Sequence, residues 1–425
     1  MTVRITWEQA AARRLERQFL ATSANGSVAP ADVAAAMLGA HAQVLSAAEL
    51  SVGLRSEGLT RADVRAALWS PGPSEGGSEA LRGGSAAARG GSVALGGGSA
   101  ALREGSAAGL VKTHGPRGTV HLLPARELPL WCGALPAIPA GGSGFAPGVR
   151  TTPEQAERIV AAIGEALDGV CLTVDELNDE VVARTGPWAG DLVMPAFQTL
   201  WPRWRQVMHR AGWSGALCFG PNRGRKVTYT RPPRFTPLPA EKAVRELVRR
   251  YLRAYGPSTP AWCAKWLAAP GGWTTGVFRS MAEDGQIEEV RFEEVRFEEA
   301  GAWVVAGDTG FPAEPTRGVR LLPYFDAYGI AARPRERLFP GEAYRRALAG
   351  GQAGNHPVLL VDGTVAGVWH QRRRGRRTTV TVEPLGRLTA RQARELAERA
   401  ERVGAVLEAP EVELVVGKVT TGPHA

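Results

Sequence analysis

Three times along this chain a group of amphipathic helices runs directly into a short alternating hairpin, and that recurrence constrains the fold more than any other feature. In the first group, Trp7, Ala10, Ala11, Leu15, Phe19 and Leu20 recur at helical spacing over 7–20, and Pro30 opens a second helix over 30–39. Ser46-Ala47-Ala48-Glu49 reads as a capping box for a helix reaching about Arg55, and Thr60-Arg61-Ala62-Asp63 opens a fourth in the same way. Residues 110–123 then alternate as a hairpin around Gly115-Pro116-Arg117-Gly118. The second group has helical patterning over 153–167, 173–184 and 191–211, then a hairpin over 213–230 turning at Pro221-Asn222-Arg223-Gly224. The third has helices at 240–255, 259–268 and 273–283, with a turn at Gly256-Pro257. Strands at 287–297 and 302–306 follow, with EEVRF repeated in tandem at 288–292 and 293–297.

Helices that end in a two-stranded wing make a winged helix. The final section holds short β-runs and one clear helix at 389–403. The expected fold class is therefore α+β, with winged-helix units over 1–135, 150–235 and 240–308 and a β-rich C-terminal domain over 317–418. A linker of Pro, Gly and Ser at 136–150 separates the first two units. One stretch stands apart. From Gly76 the chain reads GGSEALR, GGSAAAR, GGSVALG, GGSAALR, EGSAAGL, five copies of a seven-residue unit. Glycine costs about 1 kcal/mol in a helix interior, so these heptads do not predict a coiled coil. Residues 71–107 are expected to be a flexible insertion without a role in the chemistry.

Charge points to the partner. The chain carries 51 Lys and Arg against 42 Asp and Glu, a net charge of +9, and only five of the cations are lysine. Arginine is the side chain whose fork matches phosphate and guanine edges. Residues 317–377 hold twelve arginines and four acids, nearly the whole net charge. Their densest run, Arg372-Arg373-Arg374-Gly375-Arg376-Arg377, lies between strand-like stretches at 358–369 and 378–382. Gly375 is the natural turn of an arginine-tipped hairpin able to enter a nucleic-acid groove, with Trp369 at its base. A solvated basic loop is the bland reading of the same residues.

Other classes are excluded. No apolar run is long enough to span a membrane, and the N-terminus has no signal-peptide core, so the expected location is cytoplasmic and nucleoid-associated. The four cysteines, Cys132, Cys171, Cys218 and Cys263, are widely spaced and form no CxxC pair, which argues against a zinc site or a disulfide scaffold. No Walker loop, HExxH or GxSxG is present, so no metal and no nucleotide cofactor is expected.

A candidate site lies at Gly39-Ala40-His41-Ala42-Gln43, between the second helix and the Ser46 cap. In an extended segment residues i and i+2 share one side, so His41 and Gln43 can aim at one point. There a histidine can activate a water and a carboxamide can hold it. Taken alone, a His and a Gln in a loop are more often structural.

The strings HAQVLSAAELSVGLR, LVKTHGPRGTVHLLPA, LCFGPNRGRKVTYTRP, LLPYFDAY and VLLVDGTVAGVWHQRRRGRR occur in this order. Together they resemble the AlkZ/YcaQ family of winged-helix DNA glycosylases over most of the chain outside 71–107. The resemblance implies three tandem winged-helix units and a β-rich domain forming a C-shaped, DNA-facing surface. It implies a monomer acting on double-stranded DNA that contains alkylated guanine, chiefly N7-alkylguanine, with crosslink unhooking and antibiotic self-resistance in some members. The family's catalytic motif falls on His41, Ala42 and Gln43, making this a His-x-Gln variant. Its DNA-probing hairpin falls on Trp369, His370, Gln371, Arg372, Arg373, Arg374, Arg376 and Arg377.

Arg117 and His121 could face the same cleft, or support a turn and pack, respectively. Asp326 in PYFDAY could stabilise positive charge, or bond backbone in a turn. The usual Trp-x-(Met/Leu)-Arg-Gly-Thr-Leu-His stretch reads Thr113-His114-Gly115-Pro116-Arg117-Gly118-Thr119-Val120-His121 here, without the Trp. The implied enzyme is a monofunctional glycosylase of base excision repair. The competing reading is a winged-helix DNA-binding protein or transcription regulator without chemistry. A metal-dependent nuclease fits poorly, because no carboxylate cluster has ligand spacing.

Overall fold

A computed structural model of the chain describes residues 3–21, 28–69, 109–139, 141, 144–196, 199–293, 301–348 and 350–422. The glycine-rich insertion lies outside them, as does all but the first residue of the second EEVRF copy.

The first set of helices forms where capping dictates. Thr6 and Gln9 close a capping box on the helix Trp7–Arg17, and Pro30 begins the helix Pro30–Ala36. Helix Arg61–Trp69 starts at the expected cap, with Thr60 donating to the Asp63 carboxylate at 2.8 Å. The Ser46 box is not used. Helix Leu45–Gly53 begins at Val44 with no side-chain cap, because Glu49 turns inward, fully buried, to meet Arg65 at 2.6 Å. Strands Leu110–His114 and Val120–Pro124 form the expected wing, and the two-residue strand Ala40–His41 pairs with the second of them.

In the second set, helices Pro153–Ala166 and Val174–Thr185 are each closed by a Thr-led capping box. The helix expected over 191–211 does not form. Instead Leu192–Ala196 and Thr199–Pro202 make a small hairpin, followed by a 3₁₀ turn and the short helix Met208–Trp213. Pro195 and Pro202 have no N–H to give a helix, and an edge hairpin tolerates both. The wing Cys218–Arg223 with Lys226–Thr230 turns later than expected, pairing Arg223 with Lys226 across Gly224.

The third set has helices Ala240–Tyr255, Pro260–Leu267 and Gly271–Glu283, then strands Ile287–Phe292 and Ala302–Val305. The N-terminal strand Val3–Ile5 adds to this wing in parallel register, Val3 opposite Val290. The start of the chain thus belongs to the third wing, not to the first. Arg14 reinforces this by donating to the carbonyls of Gly256, Pro257 and Arg333.

The C-terminal sheet has five strands in sequence order, Val319–Leu322, Val358–Val361, Thr364–Arg374, Arg377–Pro384 and Glu411–Val416. The last pair is parallel, joined by the crossover helix Ala390–Val406. Three short helices between the first two strands, Ala327–Ala331, Arg335–Leu338 and Glu342–Ala347, have no clear sequence pattern.

This sheet domain closes on the first set of helices. A Cβ on Gly53 would lie 2.4 Å from Val406, and Arg402 donates to the carbonyls of Gly53, Ser56 and Leu59. Trp7, Ala11 and Leu15 share one core with Leu322, Tyr328 and Leu360. The closure sets the C-terminal loop at 323–326 beside the strand that carries His41. Among the described residues no helix is long and apolar enough to cross a membrane.

Candidate active site

Two left-handed residues, Leu38 (φ +56°) and Gly39 (φ +93°), turn the chain out of its helix and onto the wing. Gly39 is required there, because a Cβ would lie 2.6 Å from Leu123. Extended backbone follows, with the Ala42 N–H bonded to the Val120 carbonyl at 2.7 Å. Ala42 is fully buried in the apolar core, so the residues flanking it project the other way. His41 is 7% exposed. Gln43 is exposed, and among the described residues no hydrogen bond holds its carboxamide.

Two rings bracket the His41 imidazole. Phe325 stacks on it at 4.9 Å between centroids and 28° between planes, and His121 meets it edge-on at 5.0 Å and 68°. The His41 Nδ1 is sealed from solvent and has no hydrogen-bond partner among the described residues. Burial, and then the neighbouring Arg117 charge, lower the His41 pKa to about 4. The ring is therefore a neutral acceptor throughout the physiological range.

His121 faces His41 directly across the strand pair. Its Nδ1 lies 2.8 Å from the Thr119 carbonyl, which can only accept, so Nδ1 carries the proton and Nε2 is left bare. Burial, followed by repulsion from a protonated His41 and from Arg117, holds its pKa well below the usual range. Arg117 occupies the 3₁₀ turn between the wing strands at φ +62° and donates to the Trp266 carbonyl at 2.6 Å. It ties the turn to the third set of helices, and its charge is felt at His41.

Asp326 takes the structural reading. Its buried carboxylate accepts from Arg55 at 2.7 and 2.8 Å, from Ser51 at 2.5 Å and from the Tyr328 N–H at 3.0 Å. With its lone pairs engaged by Arg55, it offers no free charge to a sugar cation. Sequence reasoning missed its neighbour Phe325, although it stands in the same string, PYFDAY.

The arginine hairpin forms as expected, with Arg374 opposite Arg377 and Gly375 at φ +57° in the turn. Trp369 is a correction: it is 1% exposed, donates to the Leu322 carbonyl at 2.9 Å and packs against Val380 and Val403. Strand alternation places its large ring on the face that the crossover helix covers, so it cannot touch DNA. His370 and Gln371 are half-buried, and Arg372, Arg373, Arg374, Arg376 and Arg377 are exposed. Arg377 lies 3.7 Å from both Glu411 and Glu413. Arg372, Arg374 and Arg376 have no carboxylate partner among the described residues. No hairpin side chain bonds His41 or Gln43.

Four clefts elsewhere on the molecule are lined by neither His41, Gln43 nor these arginines. The largest of the four, about 610 Å³, runs along the helix Ala240–Tyr255 past Lys242, Arg245, Arg249 and Arg250. Among the described residues no group of three or more His, Cys, Asp or Glu side chains could hold a metal ion.

Successive helix-plus-wing sets and an exposed basic hairpin define a winged-helix protein with a basic surface. The comparisons narrow this further. The family model for DNA glycosylase AlkZ-like proteins matches residues 100–406, and the chain belongs to that family. The protein is accordingly a DNA glycosylase, and the non-catalytic reading falls away. Its relative in Streptomyces sahachiroi, named an interstrand DNA cross-link repair glycosylase, is 27% identical over 377 residues, covering 86% of this chain and 88% of the relative. The solved structure of the DNA glycosylase AlkZ from the same organism matches with a TM-score of 0.73 at 26% identity. That match covers 98% of this chain and all of the other.

Proposed function

We propose that the protein hydrolyses the N-glycosidic bond of N7-alkylated guanine in double-stranded DNA, with His41 as the base and Gln43 as the holder of the water. The observation that carries this reading is the extended turn that buries Ala42 and projects a neutral imidazole and a free carboxamide from either side of it. Alkylation at N7 makes guanine a cation, so its bond to C1′ is already weakened. As that bond breaks, its electron pair passes to the base, which leaves neutral and needs no acid. A water held by Gln43 attacks the oxocarbenium-like C1′ and gives its proton to His41, which returns it to solvent. A base whose pKa is about 4 is weak, and it suffices because the water becomes acidic only as its bond to C1′ forms. The strand is left intact, with an abasic site for base excision repair.

The same single chain supplies the grip, and we take it to act as a monomer. Arg372, Arg373, Arg374, Arg376 and Arg377 neutralise phosphates from an exposed hairpin. None of the four clefts encloses His41 or Gln43, and we take the adducts to be bulky ones of the kind made by DNA-alkylating natural products. The relative's name extends the reading to interstrand DNA cross-links; attachment of those cross-links at N7 of guanine and a role in self-resistance of a producing cell are part of the same proposal.

The test uses duplexes carrying either 7-methylguanine or a bulky N7-guanine adduct, with alkali-labile abasic sites as the readout. Release of the adduct in the presence of EDTA is expected. Release from neither substrate, or release abolished by EDTA, would overturn the reading.

A further inference from the structure

We propose that Phe325 is a positioning residue for this reaction: its ring, brought over from the C-terminal part of the chain, fixes the plane in which His41 presents its imidazole. The proposal rests on the assignment of His41 as the base.

A histidine that works as a base is commonly oriented by a hydrogen bond at its second ring nitrogen, to a carboxylate or a carbonyl. Among the described residues His41 has no such bond, since its Nδ1 is sealed off without a partner there. Its orientation must come from packing. Phe325 supplies a face at 28° and His121 an edge at 68°, and together they resist rotation about both side-chain torsions. His121 is itself fixed by its bond to the Thr119 carbonyl.

Phe325 is held more firmly than a loop residue needs to be. Its backbone is left-handed at φ +54°, a conformation that a bulky side chain adopts only when its surroundings impose it. Its N–H bonds the Gly354 carbonyl at 2.8 Å. Gly354, at φ +101°, lies so close that an added Cβ would be 3.1 Å from the Phe325 ring. On the other side Asp326 is clamped by Arg55 and Ser51. Ser51 lies on the helix that begins just after Gln43, and Arg55 follows it, so one buried ion pair ties the Phe325 loop to the motif it supports. The charged and titratable groups around His41 are Arg117 from the wing turn, His121 from the wing strand, and Asp326 behind Phe325, neutralised by Arg55.

Full-length Phe325→Leu and Phe325→Tyr would be compared with the native protein in single-turnover excision of 7-methylguanine at saturating enzyme. The His41 imidazole would be followed in parallel by ¹⁵N-resolved NMR titration. Phe325→Leu should excise about 10- to 100-fold more slowly, the scale for a misplaced reacting group, with DNA affinity unchanged. The His41 titration should move up from about 4 toward 6.5 as its cover opens. Phe325→Tyr, which keeps the ring, should stay within about 3-fold of the native rate. Phe325→Met replaces the leucine variant if that protein does not fold.

Native excision with an unmoved His41 titration in Phe325→Leu would overturn the proposal, as would equal impairment of the tyrosine variant. A slower rate with the His41 signals unchanged would place Phe325 against the DNA instead, and also overturn it. A fully active His41→Ala would refute the base assignment alone, because the NMR titration still reports whether Phe325 holds that ring.

Discussion

Acid should unfold this protein through its imidazoles before its carboxylates. His41 and His114 are both buried, with pKa values lowered to about 4 chiefly by burial, and His121 is held well below the usual value. The sign follows from linkage. Above pH 6.5 these rings are neutral in both folded and unfolded chains and contribute nothing. As pH falls below 6.5 the unfolded chain takes up protons that the folded one refuses, so stability drops until the folded value near 4 is reached. At pH 5 each ring lowered to about 4 costs about 2 kcal/mol relative to pH 7.5, approaching about 3 kcal/mol below pH 4. His114→Gln isolates one of them away from the reaction centre, since His114 packs on Phe219 and its Nδ1 has no partner among the described residues. Urea unfolding followed by tryptophan fluorescence at pH 7.5, 6.5, 5.5 and 5.0 measures the slope. The native protein should lose about 2 kcal/mol more than the variant between pH 7.5 and 5.0. Equal losses in the two proteins would mean that His114 is charged when folded, and the reasoning about buried neutral imidazoles would fail.

The excision rate itself should stay flat from pH 8 to about 5.5 and fall only as pH approaches the His41 value of about 4, checked by a single-turnover pH series; a half-maximal point near 6.5 would show an open imidazole. Asp326→Ala leaves Arg55 buried without its partner and should cost about 3–5 kcal/mol in a denaturant midpoint measurement. Replacing Arg372, Arg373, Arg374, Arg376 and Arg377 by Ala should weaken binding to damaged and undamaged DNA alike, and reduce the salt slope of log K by about one for each phosphate no longer neutralised. Arg377, which already neighbours Glu411 and Glu413, should contribute least to that slope, as single-site variants in the same titration would reveal.

What the sequence made legible was local. The cap at Thr60, the helices over 153–167 and 173–184, the wing at 110–123 and the arginine hairpin about Gly375 are each written in a few adjacent residues, and each forms close to where expected. What it hid depended on distant partners. Nothing near Val3 announces that it will pair with Val290, and nothing near Trp369 announces that a helix further along the chain will cover it. Glu49 looked like a cap because its spacing from Ser46 fits one, while Arg65 outcompetes that role by giving a buried carboxylate a charge. The site shows the same division. His41 and Gln43 were readable from extended spacing, whereas the burial that depresses the His41 pKa and its stacking on Phe325 depend on elements far along the chain, the C-terminal loop among them.

The central claim is that His41 and Gln43 carry the chemistry, and single-turnover excision of 7-methylguanine from a duplex tests it most directly. At saturating enzyme and pH 7.5, His41→Ala and Gln43→Ala should each lower the rate constant by about 10²–10⁴-fold, the scale for losing a positioned proton-transfer group. Binding of the same duplex should be nearly unchanged, since neither side chain belongs to the basic hairpin. Native rates in both variants would contradict the account and move the reaction centre elsewhere on the chain.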